Sequence, residues 1–258
     1  MLFTDQLHRT IKLPYLPQRI ISLVPSQTEL LFHLGLAEKI VGITKFCVHP
    51  HEHVQNIPKI GGTKNFHFEK IDELAPDLII ANKEENYKEG IERLAEKYPV
   101  WISDIYTLED ALKMIVSIGE ICAKKMEAQM VAAFIQSNFS LLTKTYKGKV
   151  AYLIWKNPYM VAGSHTFIND ILQRLGFENI FAEKSRYPQV SLPEIAEKEP
   201  DYIFLSSEPY PFQEKHLQEM QTFFPDSQVK LVDGEMFSWY GSRLLEAIKY
   251  FRNFLKKA

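Results

Sequence analysis

The sequence is poor in the features that mark several common classes of protein. It contains two cysteines, Cys47 and Cys122, far apart in the chain, so it carries no disulfide framework. It has no run of about 18 or more consecutive apolar residues, which excludes a transmembrane helix of ordinary length. The formal net charge is −2 and the Lys and Arg residues are scattered, so no basic surface for nucleic acid is expected.

Common catalytic motifs are missing as well. The sequence has no G-x-S-x-G nucleophile elbow, no P-loop and no H-E-x-x-H metal motif. The glycine pair Gly61-Gly62 is too sparse to cradle a phosphate. These absences count against an enzyme of those classes.

The sequence does contain one pattern of strands and helices that occurs twice. A short apolar run at Arg19–Val24 opens the first copy, and a similar run at Val150–Trp155 opens the second. Later in each copy a Pro-Asp pair, Pro76-Asp77 or Pro200-Asp201, precedes another apolar run. Strands that alternate with helices in this way predict parallel sheets built from βαβ units.

A helix without glycine or proline is predicted over Lys124–Tyr146, between the two copies. Its larger apolar residues recur at helical spacing and predict one buried stripe, formed by Met126, Met130, Phe134, Leu141 and Leu142. The predicted fold is α/β, with two Rossmann-like lobes that contain parallel sheets and are joined by one long backbone helix. We expect an N-terminal lobe at residues 1–122, a linker helix at 123–148 and a C-terminal lobe at 149–258.

Ligands of parallel sheets bind beyond the carboxyl ends of the strands, and two lobes with facing loops form a cleft. In the first lobe we expect ligand contacts from the loop residues Pro25, Ser26, Gln27, Lys45, Phe46, Cys47, Lys64, Asn65, Lys83, Glu84 and Asn86. In the second lobe we expect them from Trp155, Tyr159, His165, Tyr187, Glu208, Tyr210, Trp239, Tyr240 and Arg243. The second set is rich in aromatic side chains, which favours a large, flat and partly apolar ligand. Ser26 and Glu29 also form a predicted capping box at the start of a helix.

One loop of the first lobe carries metal-ligand side chains at alternating positions, namely Cys47, His49, His51 and His53. In an extended chain these side chains lie on one side, and thiolate with imidazole suits zinc or another transition metal. Cys47 and His49 are the first candidates for such a site.

Other interpretations of this loop stay open. A single loop rarely completes a metal site, so a partner such as Glu84 or His67 is needed. If the loop binds no metal, it is a solvated turn or part of the lining of the ligand cleft. An imidazole from His49 or His165 also suits the axial position of haem or of cobalt.

Four segments resemble the substrate-binding proteins of ABC transporters for cobalamin, haem and siderophores: RIISLVPSQTELLFHLG, GGTKNFHFEKIDELAPDLIIA, RYPQVSLPEIAEKEPDYIFLS and MFSWYGSRLLEAIKYFRNF. The similarity runs from about Arg19 through nearly the whole chain, and RYPQVSLPEI with the aromatic pair near Trp239 is most similar to the cobalamin-binding branch. The resemblance implies the helical-backbone metal receptor type, or periplasmic binding protein class III. It also implies that the protein is not an enzyme, has no intrinsic cofactor, and captures cobalamin, haem or a ferric siderophore for an ABC permease.

The resemblance further implies a partner and a location. Glu69 and Glu194 match the acidic residues that dock onto arginines of the permease. A periplasmic or cell-surface location is expected, with the cytoplasm as the alternative because no export signal is visible in the sequence. We expect a monomer. Two rival functions stay open: a cytosolic carrier or sensor of the same fold, and a metal-dependent enzyme that uses the Cys47/His49 loop.

Overall fold

The computed structural model describes residues 1–142 and 145–256, and the chain divides into two compact units. The first unit contains residues 1–104, 109–134 and 240–243. The second contains residues 105–108, 135–239 and the C-terminal stretch from Leu244. Residues 143 and 144 of the predicted linker, and residues 257 and 258 of the predicted C-terminal lobe, lie outside the described residues.

Strands alternate with helices through the first half of the chain. The elements are β1 (Leu2–Thr4), β2 (Thr10–Lys12), β3 (Ile20–Ser22), α1 (Pro25–His33), β4 (Ile40–Ile43), α2 (His51–Val54), β5 (Gly61–Gly62), β6 (Asn65–Phe66), α3 (Phe68–Leu74), β7 (Leu78–Asn82), α4 (Lys88–Ala95), β8 (Val100–Ser103), α5 (Leu108–Ile121) and α6 (Lys125–Ser140). Four strands form a parallel sheet in the order β4-β3-β7-β8. β3, β7 and β8 are buried along their whole length, as expected of parallel strands that are covered on both faces.

The second half repeats the alternation. The elements are β9 (Gly148–Trp155), β10 (Met160–Val161), α7 (Phe167–Arg174), β11 (Phe177–Asn179), α8 (Leu192–Glu197), β12 (Tyr202–Ser206), α9 (Glu214–Phe223), β13 (Gln228–Val232), α10 (Gly234–Ser238) and α11 (Arg243–Leu255). β11, β12 and β13 extend a parallel sheet from β9, and the short β10 adds an antiparallel edge.

The two sheets have the same strand order. If the strands of each parallel sheet are numbered in chain order, both sheets run 2-1-3-4: β4-β3-β7-β8 in one and β11-β9-β12-β13 in the other. The repeated pattern in the sequence therefore corresponds to a repeated topology. The predicted α/β class with parallel sheets is confirmed.

The two Pro-Asp pairs have the same role in their units. Asp77 accepts main-chain N–H groups of Gln18 and Arg19, just before β3, at 2.8 and 2.9 Å. Asp201 accepts the N–H of Lys149 in β9 at 2.7 Å. Each carboxylate thus fixes the start of the first strand of its sheet, and we refer to Asp77 and Asp201 as the strand-start aspartates.

The helix predicted over Lys124–Tyr146 is shorter, and it buries a different face from the predicted one. α6 ends at Ser140, and Met126 and Met130 are 75% and 71% exposed. Phe134 and Leu141 are exposed too, and only Leu142 of the predicted stripe is buried.

The buried face of α6 carries smaller residues, namely Ala128, Val131, Ala132, Ile135 and Phe139. The cause is close packing of α6 against α5. A Cβ placed on Gly119 of α5 would lie 2.3 Å from the Cβ of Ala128, so only a small side chain fits at this contact.

Helix starts agree with the sequence at two places and differ at a third. Thr166 caps α7 and Ser191 caps α8, because each hydroxyl accepts the N–H of the residue three positions on. The capping box predicted at Ser26 is wrong, since α1 begins at Pro25 and has no side-chain cap. Proline at the first helical position explains the earlier start, because its missing N–H needs no partner there.

Among the described residues, no helix combines the length and the hydropathy that a membrane span requires.

Candidate functional site

The predicted site residues of the first unit lie at one edge of its sheet. Pro25, Ser26 and Gln27 form the first turn of α1, directly after β3. Lys45, Phe46 and Cys47 follow β4, and Lys83, Glu84 and Asn86 follow β7. Because these strands are parallel neighbours, their carboxyl ends meet at the same edge.

The β5–β6 hairpin, with Lys64 and Asn65, joins this edge through direct contacts. Lys64 Nζ donates to the main-chain oxygen of Glu84, and the N–H of Lys45 donates to that of Gly61 at 2.8 Å. Asn65 is exposed in β6. The structure thus brings together loops that are separated by up to sixty residues in the chain.

Asn86 has a structural role in this edge. It is buried, its Nδ2 donates to the main-chain oxygens of Leu23 and Thr63, and its Oδ1 accepts the N–H of Asn82. Asn82 in turn accepts the N–H groups of Glu84 and Glu85. The two asparagines hold the loop after β7 in shape, and their hydrogen bonds are satisfied within the protein.

Gln27 is likewise buried. Its Nε2 donates to the hydroxyl of Ser103 at the end of β8, while its Oε1 is buried and has no hydrogen-bond partner among the described residues. Ser103 Oγ also accepts from Asn82 Nδ2 at 3.0 Å. Gln27 therefore contacts the carboxyl end of the edge strand β8 and not the outer surface of the loops.

Cys47 is buried among hydroxyl groups. Its Sγ lies 3.1 Å from Thr28 Oγ1 and 3.2 Å from Thr44 Oγ1. Burial raises the pKa of the Cys47 thiol, and the hydrogen bonds to Thr28 and Thr44 offset only part of that rise. The thiol is thus protonated at neutral pH, whereas a metal ligand is a thiolate.

The histidines of this loop do not share one side with Cys47. His51 and His53 belong to the helix α2, so the extended conformation assumed from the sequence is wrong there. His51 contacts Gln55 Nε2 at 3.1 Å, and the ring of His53 packs on Phe32 at 5.7 Å. In residues 1–142 and 145–256, no three His, Cys, Asp or Glu residues are placed to hold a metal. The combination of Cys47 with His49 stays a prediction from the sequence.

The accessible part of the first unit's edge is cationic and partly apolar. Phe46 is 50% exposed, and Lys45 Nζ lies 5.0 Å from the centre of its ring. Lys64 and Lys83 are also exposed, and Lys83 pairs with Asp104 at 2.7 Å.

The corresponding edge of the second unit is aromatic. Trp155 at the end of β9 is 39% exposed, and its ring lies 5.7 Å from that of Tyr210 in a T-shaped arrangement. Tyr210 packs in turn on Phe212 and His216. Trp155 is thus held by a chain of rings at the carboxyl end of its strand, and one part of it faces solvent.

His216 supports this chain as a neutral ring. Its Nδ1 accepts the N–H of Gln213 at 2.9 Å, so the proton of the neutral imidazole sits on Nε2 and is donated to Tyr210 Oη at 3.3 Å. Burial lowers the pKa of His216, and the charges of Lys156 and Lys215 lower it further.

Tyr159 is half-buried beside the same loops. Its hydroxyl lies 3.3 Å from Glu219 Oε1, and Lys156 Nζ contacts Glu219 Oε2 at 2.5 Å. These contacts anchor the β9–β10 turn to α9.

Trp239 and Glu208 form a hydrogen-bonded pair. Trp239 is only 8% exposed, and its Nε1 donates to Glu208 Oε1 at 2.8 Å. Ser238 Oγ donates to the same oxygen at 2.9 Å. Glu208 is half-buried, and its pKa is raised, mainly by burial, with further repulsion from Glu235 and Asp233. The indole of Trp239 is therefore mostly buried, and its polar end is satisfied by Glu208.

His165 lies in an exposed cluster with Tyr106 and Arg186. Its ring is 6.3 Å from that of Tyr106, and the Arg186 guanidinium sits 5.6 Å from the Tyr106 ring centre and donates to the main-chain oxygen of His165. His165 and Arg186 both adopt positive φ angles, of 55° and 66°, which non-glycine residues rarely do. Tyr187 follows Arg186 and is half-buried.

Arg243 makes an ion pair inside the first unit. Its Nε and Nη2 donate to the two carboxylate oxygens of Glu29 at 3.1 and 2.6 Å. Arg243 is 6% exposed, and the neighbouring Tyr240 is buried as well. Glu29, assigned from the sequence to a capping box, thus pairs with a residue 214 positions away.

The two glutamates assigned to permease docking occupy first turns of helices. Glu69 is exposed at the start of α3. Glu194 lies at the start of α8, where its carboxylate contacts Lys184 Nζ. This cation holds the pKa of Glu194 below its usual range.

Sequence reasoning missed Asn82, Ser103, Tyr106 and Ser238. Asn82 and Ser103 do end apolar strand runs, which is a usable signal for residues at the carboxyl edge of a sheet. Tyr106 and Ser238 join their sites only through tertiary contacts, which the local sequence does not reveal.

Comparison with known proteins agrees with this architecture. A family model described as periplasmic binding protein matches residues 20–228. The vitamin B12-binding protein of Pectobacterium carotovorum is 28% identical over 243 residues, which cover 90% of this chain and 86% of that protein. The vitamin B12-binding protein of Vibrio campbellii is 29% identical over 195 residues, or 73% of this chain and 70% of that protein. An uncharacterized ABC transporter substrate-binding lipoprotein of Bacillus subtilis is 29% identical over 199 residues, covering 72% and 63% of the two chains.

Solved structures show the same fold. The periplasmic vitamin B12-binding protein BtuF of Vibrio cholerae has a TM-score of 0.81 with 23% identity, over 95% of this chain and 98% of that one. The periplasmic heme-binding protein RhuT of Roseiflexus sp. RS-1 has a TM-score of 0.80 with 20% identity, over 93% and 98%. The family match over most of the chain, together with these likenesses in fold, shows that the chain belongs to the periplasmic binding protein family.

Proposed function

We propose that this protein is the non-catalytic substrate-binding component of an ABC uptake system, and that its ligand is a metal-containing cofactor or chelate. Cobalamin is the first candidate, with haem and ferric siderophores as the other members of this class. The observation that carries the proposal is the relationship to a vitamin B12-binding protein across 90% of the chain. A periplasmic or cell-surface location and delivery to a permease belong to the same proposal.

The loop residues supply the chemistry that such a ligand needs. Trp155 offers a partly exposed indole that is fixed by Tyr210. Tyr159 and Tyr187, in other loops of the second unit, are half-buried. A stiff aromatic surface binds a large, flat and partly apolar ring at low entropic cost. Glu69 and Glu194 are the proposed docking residues, and Glu69 is the more accessible of the two.

The proposal is tested by titration of the purified protein with cyanocobalamin, haem and a ferric siderophore. Heat and tryptophan fluorescence report on binding. The chain has three tryptophans, of which Trp155 is partly exposed while Trp101 and Trp239 are buried, so Trp155 is the one available for direct contact with a ligand. Binding to none of the three at tens of micromolar, about −6 kcal/mol, contradicts the proposed ligand class.

A pair of variants localises the contact. Trp155→Ala should weaken binding about tenfold, as expected for a buried aromatic contact. Phe223→Leu is the matched control, because Phe223 is an exposed aromatic residue at the end of α9, away from the carboxyl ends of the strands. Equal effects of the two changes would show that Trp155 does not contact the ligand.

A further inference from the structure

We infer that Glu208 selects a ligand whose edge carries amide N–H groups over one whose edge carries carboxylates. This inference rests on the proposed function, since it names the chemical class within metal chelates that the second unit accepts. Cobalamin has a rim of neutral amides, whereas haem carries two propionates. Glu208 therefore favours cobalamin over haem, a choice that the fold alone does not determine.

The carboxyl group of Glu208 is fixed in place. Glu208 follows β12, and its main-chain oxygen accepts the hydroxyl of Ser206 at 2.6 Å. On the other side it meets Gly234, where an added Cβ would lie 2.6 Å from Glu208 Cγ and 2.5 Å from Ser206 Oγ. Ser238 and Trp239 then hold Oε1 by two hydrogen bonds. A group fixed in this way recognises a ligand atom with little loss of entropy.

Only one of the two carboxylate oxygens is used by these contacts. No side chain or main-chain N–H in residues 1–142 and 145–256 donates to Oε2 of Glu208. Oε2 is also not among the fully buried side-chain atoms without a partner in the described chain, so it reaches the surface. It is thus an open hydrogen-bond acceptor on a side chain that is half-buried.

The surroundings of this acceptor are negative. The carboxylates of Glu235 and Asp233 lie close enough to Glu208 to disfavour its ionised form. No Lys, Arg or His of the described residues forms an ion pair with Glu208. A ligand carboxylate placed here meets the like charge of Glu208, while an N–H donor finds an acceptor.

The acceptor also belongs to the aromatic edge described above. Tyr210 is two residues after Glu208, its N–H donates to the main-chain oxygen of Ile154, and its ring packs on Trp155. A ring held against Trp155 therefore places its rim near the loop that carries Glu208.

The test compares cyanocobalamin with the monocarboxylic acids made from it by hydrolysis of one peripheral propionamide. Affinities are measured calorimetrically at about pH 8, where free carboxyl groups are ionised. The wild-type protein should bind cyanocobalamin at least about tenfold more tightly than one or more of these acids, as expected for a lost hydrogen bond to a charged group. Absence of any such preference overturns the inference without the use of a variant.

The variant Glu208→Gln keeps the shape and an acceptor for Trp239 but removes the charge. It should reduce the preference for the amide over the acid by about the same tenfold factor. Ser238→Ala is the control, because it removes one hydrogen bond to Oε1 and leaves the charge of Glu208 in place. A Glu208→Gln protein that keeps the wild-type preference overturns the inference.

The two proposals fail in different ways. Binding to none of the metal chelates refutes the proposed function. A protein that binds haem more tightly than cyanocobalamin, or in which Glu208→Gln and Ser238→Ala behave alike, retains the proposed function and refutes the role of Glu208.

Discussion

The Arg243–Glu29 pair yields the sharpest test of whether a residue assigned to ligand binding is structural. Both side chains are mostly removed from water, at 7% and 14% exposure, and they are joined by two hydrogen bonds. Arg243→Met keeps the aliphatic stem but leaves the carboxylate of Glu29 without its cation. Breaking a buried pair from one side costs about 3–5 kcal/mol.

The expected effect is large enough to measure by thermal unfolding. For a chain of this size, each kcal/mol corresponds to about 2–4 °C, so Arg243→Met should lower Tm by about 6–20 °C. Arg243→Lys keeps the charge but not the bidentate hydrogen bonding to Glu29, and it should lower the free energy of unfolding by about 1.5–3 kcal/mol. Combining Glu29→Gln with Arg243→Met should cost less than the sum of the single changes, because no charge is then left buried and unpaired.

Ligand affinity separates the two roles of Arg243. If the arginine serves the fold, the folded Arg243→Lys protein should bind cyanocobalamin within about threefold of wild type. A loss of stability below about 1 kcal/mol in Arg243→Met, together with a loss of binding, would refute the structural role.

Two further predictions follow from buried titratable groups. Burial raises the pKa of Cys47 and raises that of Cys122 to about 12, so neither thiol should react with iodoacetamide in the native protein at neutral pH, and both should react after denaturation, as measured by mass spectrometry. Rapid native modification, or a stoichiometric metal that Cys47→Ser removes, would contradict this. The pKa of His216 is lower in the folded protein than its usual value of about 6.5, so the unfolded state binds more protons and stability should fall as the pH drops below about 6.5. His216→Asn should abolish this part of the pH dependence in denaturant titrations; an unchanged profile would show that His216 does not cause it.

The strands and the repeat could be predicted because their signals are local. β7 is a run of five buried residues after Pro-Asp, and Thr166 carries a helix-cap signal that its surroundings do not override. Gly35 and Gly176 end helices at positive φ, as their positions after apolar stripes indicate.

The buried face of α6 could not be predicted in the same way. Both of its faces are apolar at helical spacing, and the larger residues look like the better core. The close approach of Ala128 to Gly119 of α5 determines which face of α6 is buried. Periodicity within one helix contains no such information.

The location of the candidate loops was predictable, whereas the contacts of their side chains were much less so. The loops after the strands do meet at the carboxyl edges of their sheets. Among the aromatic residues, however, Trp155 is partly exposed while Trp239 and Tyr240 are buried, and their spacing gives no sign of the difference. Glu29 shows the same limit, because its local capping motif was outweighed by a partner 214 residues away.

The strand-start aspartates have a consequence for how this protein can change. Asp77 and Asp201 fix the start of the first strand of each sheet at its amino end, because their carboxylates accept main-chain N–H groups there. The loops that carry the candidate ligand residues follow the opposite, carboxyl ends of the strands. The residues that anchor the sheets and the loops that would bind the ligand therefore lie at opposite ends of the strands. Replacing a loop at the carboxyl edge leaves the strand-start aspartates untouched. Such a scaffold can be retargeted one loop at a time.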